Sequence, residues 1–262
     1  MQASVYLDRG TFFHRLDPRA KLAGLVAFFV IALAFNHPGY AAGAWAAVLV
    51  AGAASRSLIN LWRMRGLLGL LFVFAAVLWP FFAKGPTPLL HLGPISASRE
   101  SLLYGLAVGL RLSAMVAAGM VFMSTTMVEE FAHGLRRLGL PYAVSFALAA
   151  AVRLVPTFLG SSAAVVEAQK SRGLDLESGH LFARLRKHIP VLVPVLVTAI
   201  RSTDLTAMAL ESKGFGAHHQ RSYYLELRMR IADWVWVALA LGGAGAAVYA
   251  RLHGWGEVLP RL

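Results

Sequence analysis

The sequence predicts an all-α polytopic membrane protein, with about five transmembrane helices and a cytoplasmic helical block between the fourth and fifth spans. Three observations predict it. Hydrophobic residues make up 58% of the 262-residue chain and charged residues only 15%, with a mean hydropathy of +0.61, which is too apolar for a soluble domain. Five apolar runs, each bounded by charge or turn residues, stand at 22–35, 41–54, 67–83, 102–123 and 231–250. The Lys and Arg residues between them are unevenly shared: 20 of the 25 fall in segments that lie on one side if the N-terminus is inside.

The first run follows a charged lead containing Leu16-Asp17-Pro18-Arg19-Ala20-Lys21 and ends at Ala-Phe-Asn-His-Pro-Gly-Tyr without a small-residue cleavage pattern, so it reads as an uncleaved first span. The first three runs are short. The fourth and fifth reach the roughly 20 residues that a spanning helix needs. Of the 13 Asp and Glu, only Asp233 lies inside the five runs, at an edge, and Arg111 is the one basic residue well inside a run. A cation at that depth is costly unless it faces protein, so Arg111 is expected to anchor on a polar group or a helix end. Small residues at Gly105 and Gly109, and at Gly242, Gly243 and Gly245, permit close helix approach. Cytoplasmic flanks retain positive charge, which places the N-terminus inside and the C-terminus outside, in a multi-pass protein of the cytoplasmic (inner) membrane. Lys84, Arg99, Arg251 and Arg261 are then the outside cations.

Residues 1–123 thus form the N-terminal spans, 124–230 a cytoplasmic block, and 231–262 the last span and tail. The block holds 13 of the 25 Lys and Arg residues. It opens with Thr126-x-x-Glu129, the form of a capping box, followed by an apolar stripe of Met127, Phe131, Leu135 and Leu138 that ends at Gly139 and Pro141. A longer helix is expected over 142–172, bent at Pro156 because proline removes a backbone donor. His-Leu-Phe-Ala-Arg-Leu-Arg-Lys-His puts Leu181, Phe182, Leu185 and Ile189 on one side and Arg184, Arg186 and Lys187 on the other, as a basic interfacial helix would. Beyond Pro190 a further helix, interrupted or bent at Pro194, is expected to run to Lys213.

Both long helices end on one signature. Ala168-Gln-Lys-Ser171-Arg172-Gly173 and Ala209-Leu-Glu-Ser212-Lys213-Gly214 share Ala, Ser, a cation and Gly at matching offsets. Gly after a helix supplies positive φ, and a cation in the last turn is favoured by the helix dipole by about 0.3–1 kcal/mol. Capping alone does not explain the agreement of all four positions in helices of unlike composition. Two like tips imply two like sockets. Arg172 presents a rigid fork of donors suited to a carboxylate, Lys213 a compact charge on a flexible stem, so the two tips need not grip equally.

Four passages together resemble the transmembrane coupling subunit, or T-component, of energy-coupling-factor (ECF) transporters, a group that includes the membrane subunits of cobalt, nickel and biotin uptake systems. They are Asp17-Pro18-Arg19-x-Lys21, Thr125-Thr126 through Pro141, Arg153-x-x-Pro156, and the paired Ala-x-x-x-(Arg/Lys)-Gly tips, and the likeness covers nearly the whole chain. The resemblance implies that 124–230 is a coupling-helix region whose tips, Ala168, Ser171, Arg172 and Gly173 and then Ala209, Ser212, Lys213 and Gly214, dock into grooves on two cytoplasmic ATPase subunits. It also implies that a separate substrate-binding membrane subunit selects the cargo, a vitamin or a transition-metal ion. The second motif of the family usually carries Arg where this chain has Lys213.

The residues exclude several other functions. Gly-Lys never occurs, so the chain has no phosphate-cradling loop of the G-x-x-x-x-G-K-[ST] type and binds no nucleotide cofactor through one. Absence of Cys excludes disulfides and thiolate metal sites. His218-His219 lacks a third ligand at suitable spacing. The net charge of +12 is accounted for by the inside bias and the anionic lipid bilayer, and no nucleic-acid-binding pattern appears. Two other readings are an ABC importer permease, which normally presents one principal coupling helix per subunit, and an intramembrane enzyme, which needs a nucleophile and base or a metal cluster. The duplicated tip speaks against the first, the missing constellation against the second.

Overall fold

Helix starts follow local chemistry. Asp17 caps the first long helix by accepting the Arg19 N–H at 3.0 Å, with Pro18 at the first helical position, where its missing N–H costs nothing. His37 and Pro38 repeat the device one helix later, and Ser98 and Ser101 exchange side-chain and backbone bonds in a capping box that opens the fourth apolar run. The computed structural model describes residues 6–7, 9–82, 88–92, 95–175, 178, 180–217 and 229–256. His218-His219, Lys84 and Arg261 lie outside them.

The order is α1 (Phe12–Arg15), α2 (Pro18–Ala34), α3 (Pro38–Ala54), α4 (Leu58–Arg63), α5 (Arg65–Phe82), the antiparallel pair β1 (Pro88–Leu92) and β2 (Ile95–Ser98), α6 (Arg99–Thr125), α7 (Val128–Arg137), α8 (Tyr142–Ser171), α9 (Leu181–Lys187), α10 (Ile189–Ser212) and α11 (Ile231–Leu252). Among the described residues four helices, α6, α8, α10 and α11, are long and apolar enough to cross a membrane, and α3 and part of α5 form shorter apolar helices. Two of the four, α8 and α10, belong to the segment the sequence assigns to the cytoplasm. The chain divides into two compact units, Met1–Gly139 with Leu227–Leu262, and Leu140–Glu226.

In the first unit α6 is the central helix, its Ala107, Ala114 and Ala117 fully buried and α2, α3 and α5 packed on it. A Cβ on Gly109 would stand 2.7 Å from the Phe72 carbonyl oxygen, so Gly109 serves the close α5–α6 contact inside this chain. Arg111 donates to the Phe35 carbonyl and, at 2.7 Å, to Asn36 Oδ1, while Arg251 donates to the Ala34 carbonyl at 2.6 Å. Two cations therefore close the C-terminal end of α2, whose last carbonyls have no partner within the helix. This is the helix-end anchor expected of Arg111.

The capping box expected at Thr126-x-x-Glu129 does not form. Helix α6 runs on to Thr125, Thr126 caps its end in extended backbone, and Met127 takes the N-cap position of α7 with no side-chain bond. The last turn of α6 runs two residues beyond the apolar run, and Lys21 ties it to α2 by donating to the Thr125 carbonyl at 2.7 Å. Helix α7 then packs through Ala132 and Gly134, the latter against Pro18, and through Phe131, edge-on to Phe122 at 5.8 Å. Helices α8 and α10 continue through Pro156 and Pro194 without a break.

Candidate functional site

The two tips of the second unit are the same structure built twice. Arg172 and Lys213 are the C-cap residues of α8 and α10, and the following Gly173 and Gly214 take φ of +87° and +75°. At the first tip the Leu174 N–H donates to the Gln169 carbonyl at 3.1 Å and the Gly173 N–H to the Lys170 carbonyl at 3.0 Å. At the second the Phe215 N–H donates to the Leu210 carbonyl at 2.9 Å and the Gly214 N–H to the Glu211 carbonyl at 2.8 Å. This double bond pattern is the Schellman motif, which satisfies orphan carbonyls and requires a left-handed residue where it turns. Ala168, Ser171, Arg172 and Gly173 are exposed, as are Ala209, Ser212, Lys213 and Gly214. Ser171 Oγ donates to the Glu167 carbonyl at 3.0 Å and Ser212 Oγ to the Ala209 carbonyl at 2.9 Å, so both hydroxyls fold back on their own helices and leave the cations to face outward.

Glycine capping is not peculiar to the tips, since α11 ends the same way, Gly254 at φ +81° following His253. What distinguishes the tips is the exposed alanine one turn back and the outward cation, present on both long helices of one unit. They are also chemically unequal. The first tip carries Lys170 two residues before Arg172, the second Glu211 two residues before Lys213.

Helices α8 and α10 run antiparallel. Phe158, Ser161 and Ser162 of α8 face Val195, Thr198 and Ala199 of α10, and the Phe215 ring lies 4.5 Å from that of Phe146 and 5.8 Å from that of Tyr142. The Lys213 tip is thus braced on the start of α8, whereas Arg172 stands at its end. At 1.5 Å per residue the two cations are about 45 Å apart. Arg153 and Pro156 lie exposed along α8, well away from either tip.

Asp17, Pro18, Arg19 and Lys21 form a separate buried knot in the first unit. Asp17 and Lys21 are 5% and 7% exposed, so the charged lead is buried where it meets the first long helix. The Asp17 N–H donates to Asp233 Oδ1 at 2.8 Å, and Asp233 Oδ2 accepts the Arg230 N–H at 2.7 Å, capping α11. Lys21 ties the Thr125 and His14 carbonyls, and Arg19 Nε lies 3.7 Å from Asp17 Oδ1. The starts of α2 and α11 and the end of α6 are joined there.

Sequence reasoning missed Asp233, Leu174, Phe215 and the aromatic pair Tyr142 and Phe146. Asp233 pairs with Asp17 across 216 residues, and no local pattern announces that. Leu174 and Phe215 did carry a signal, because a hydrophobic residue directly after the capping Gly is the usual companion of a Schellman end, and each quoted hexapeptide stops one residue short of it.

Comparison with known proteins places these features in context. A family model described as cobalt transport protein, CbiQ, matches residues 9–224. The energy-coupling factor transporter transmembrane protein of Staphylococcus aureus is 29% identical over 241 residues, covering 88% of this chain and 89% of the relative. The protein of the same name in Thermosediminibacter oceani is 32% identical over 240 residues, covering 87% and 89%. An ABC transporter ATP-binding protein of Bifidobacterium longum is 29% identical over 238 residues, covering 87% of this chain but 30% of its own length.

Proposed function

This chain belongs to the CbiQ cobalt transport protein family, and from that premise we infer that it is the transmembrane coupling subunit of an ECF-type ABC importer. In this reading it transmits the ATP-driven motion of two cytoplasmic ATPase subunits to a substrate-binding membrane subunit that takes up a vitamin or a transition-metal ion. The carrying observation is the pair of like exposed basic caps at opposite ends of the α8–α10 pair. A spacing of about 45 Å suits two separate protein partners better than two contacts on one small domain.

The energy source is external to the chain, because the sequence lacks a G-x-x-x-x-G-K-[ST] loop. The Bifidobacterium relative supports ATPase partners, since there a region like this chain makes up under a third of a polypeptide named as an ATP-binding protein. Each tip presents a cation at the end of a long helix, so a force on the cap moves the whole helix with little loss in bending. Closure of two ATPases would move both tips in one event. The positive charge of residues 1–21, 55–65 and 124–230 supports a cytoplasmic position for the tips, where ATP is available.

The test is coexpression with the ATPases of the same transporter, followed by copurification and uptake measured side by side. Arg172→Ala together with Lys213→Ala should abolish stable association and ATP-dependent uptake while the chain still reaches the membrane. Normal copurification with normal uptake in that double variant would overturn the assignment.

A further inference from the structure

We propose that the groove between α3, α4, α5 and α6 binds an anionic phospholipid, its acyl chain in the groove and its phosphate on the arginines of the α3–α5 elbow. The groove has a volume of about 740 Å³ and its wall includes Trp45, Leu58, Leu61, Trp62, Leu68 and Phe72, with Arg65 as its one charged lining residue. The polar groups inside are already used: Trp45 Nε1–H donates to Ser113 Oγ at 2.9 Å, and Ser113 Oγ–H donates to the Gly109 carbonyl at 2.8 Å. The interior therefore suits a hydrocarbon chain and offers nothing to a headgroup.

The elbow is the opposite. Arg56, Arg63 and Arg65 are all exposed there within ten residues. The Arg65 guanidinium lies 4.4 Å from the centre of the Trp62 ring, and Trp62 is itself 65% exposed. Stacking holds the fork in one orientation and leaves its N–H groups free to meet two phosphate oxygens. Arg56 has a left-handed φ of +54°, in a turn pinned by the buried hydroxyls of Ser55 and Ser57, 2.8 Å apart.

Neutralisation from within this part of the chain is not on offer, because no Asp or Glu occurs between Asp17 and Glu100. Asp17, at one border of that stretch, lies 3.7 Å from Arg19 in the buried knot. An apolar slot with cations at one end only fits a molecule that is anionic at one end and apolar for the rest. A free phosphate would leave the slot empty, and a zwitterionic lipid would bring a second, repelled cation to the arginines. A tryptophan beside arginines also marks headgroup depth, where basic pockets between spans hold anionic heads.

The full-length chain in phosphatidylcholine vesicles, titrated with brominated phosphatidylglycerol or brominated phosphatidylcholine, tests this through quenching of tryptophan fluorescence. Subtracting the signal of Trp62→Phe isolates the groove. The expected result is about a five-fold preference for the phosphatidylglycerol, the size of one well-placed cation at a membrane surface. It should fall to parity in Arg63→Gln/Arg65→Gln and persist in Arg63→Lys/Arg65→Lys, and also in Arg9→Gln, which removes an exposed cation elsewhere. Should the double glutamine variant not fold, Arg65→Gln alone is expected to lower the preference. Equal quenching by both lipids, an undiminished preference in the glutamine variants, or an equal loss in Arg9→Gln would overturn the site. So would a Trp62 that neither lipid quenches, which would mean that a protein surface covers the groove.

Discussion

A guanidinium and an ammonium at equivalent caps make a natural comparison. Arg172 has a planar fork of donors, whereas Lys213 has a point charge on a flexible stem. Truncating one partner of a hydrogen-bonded charge pair in an interface costs about 2–5 kcal/mol, much of it the charge left behind. Arg172→Ala is therefore expected to weaken ATPase copurification, and to uncouple hydrolysis from uptake, more than Lys213→Ala does. Equal losses would place the two sockets on the same footing. A second prediction concerns Asp233, whose two carboxylate oxygens accept the backbone N–H groups of Asp17 and Arg230. Asparagine keeps one acceptor and turns a donor toward the other N–H, so Asp233→Asn should lower stability in detergent by about 1.5–3 kcal/mol, the range for hydrogen bonds to a charged group. A thermal midpoint unchanged from the parent would mean that the knot is held by something else.

At the scale of the element, the length of α8 sets the reach of the coupling device. Because the chain has no Cys, spin labels on Arg172→Cys and Lys213→Cys report that reach directly, with an expected separation of about 45 Å. A separation under about half that would mean that α8 and α10 do not run antiparallel along their full length. The two tips also differ in support. Phe215 at the second sits on Tyr142 and Phe146, so the Lys213 cap moves with the start of α8 as well as with α10. Aromatic contacts of this kind are worth about 0.5–1.5 kcal/mol beyond their buried area. Much of this element was legible in the sequence: the ends of α8 and α10, the prolines within them and the glycine stops follow from local rules that need no neighbour. The direction of one helix against the other was not, because Phe215 meets Phe146 across 69 positions and periodicity carries no such address. The start of α7 was misread for a related reason. Thr126 and Glu129 have capping-box spacing, yet α6 runs on to Thr125, whose carbonyl accepts from Lys21 of α2, and Thr126 becomes the C-cap of α6.

For the molecule as a whole, the placement of helix ends gives a testable sidedness. Asp17 meets Asp233 at one end of the α2–α11 pair, and the Ala34 carbonyl meets Arg251 at the other, so these two helices run parallel while α6 runs antiparallel to α2. With the positive flanks inside, a cysteine replacing Arg172 should react with a membrane-impermeant maleimide in inside-out vesicles, and one replacing His253 only in right-side-out vesicles. The reverse pattern would invert the orientation and remove the tips from any ATPase. Sequence alone determined that the chain is apolar enough to live in a bilayer, that its cations cluster in three segments, and that two helices end in the same basic cap. These are properties of composition and of contacts three or four residues apart, where the backbone itself brings the groups together. Only the tertiary structure decided that the twin caps stand at opposite ends of one helix pair, that Asp17 and Lys21 are buried, and that two arginines close α2. Each of these depends on groups brought together by packing across tens to hundreds of residues, and such proximity leaves no trace in the order of the residues between.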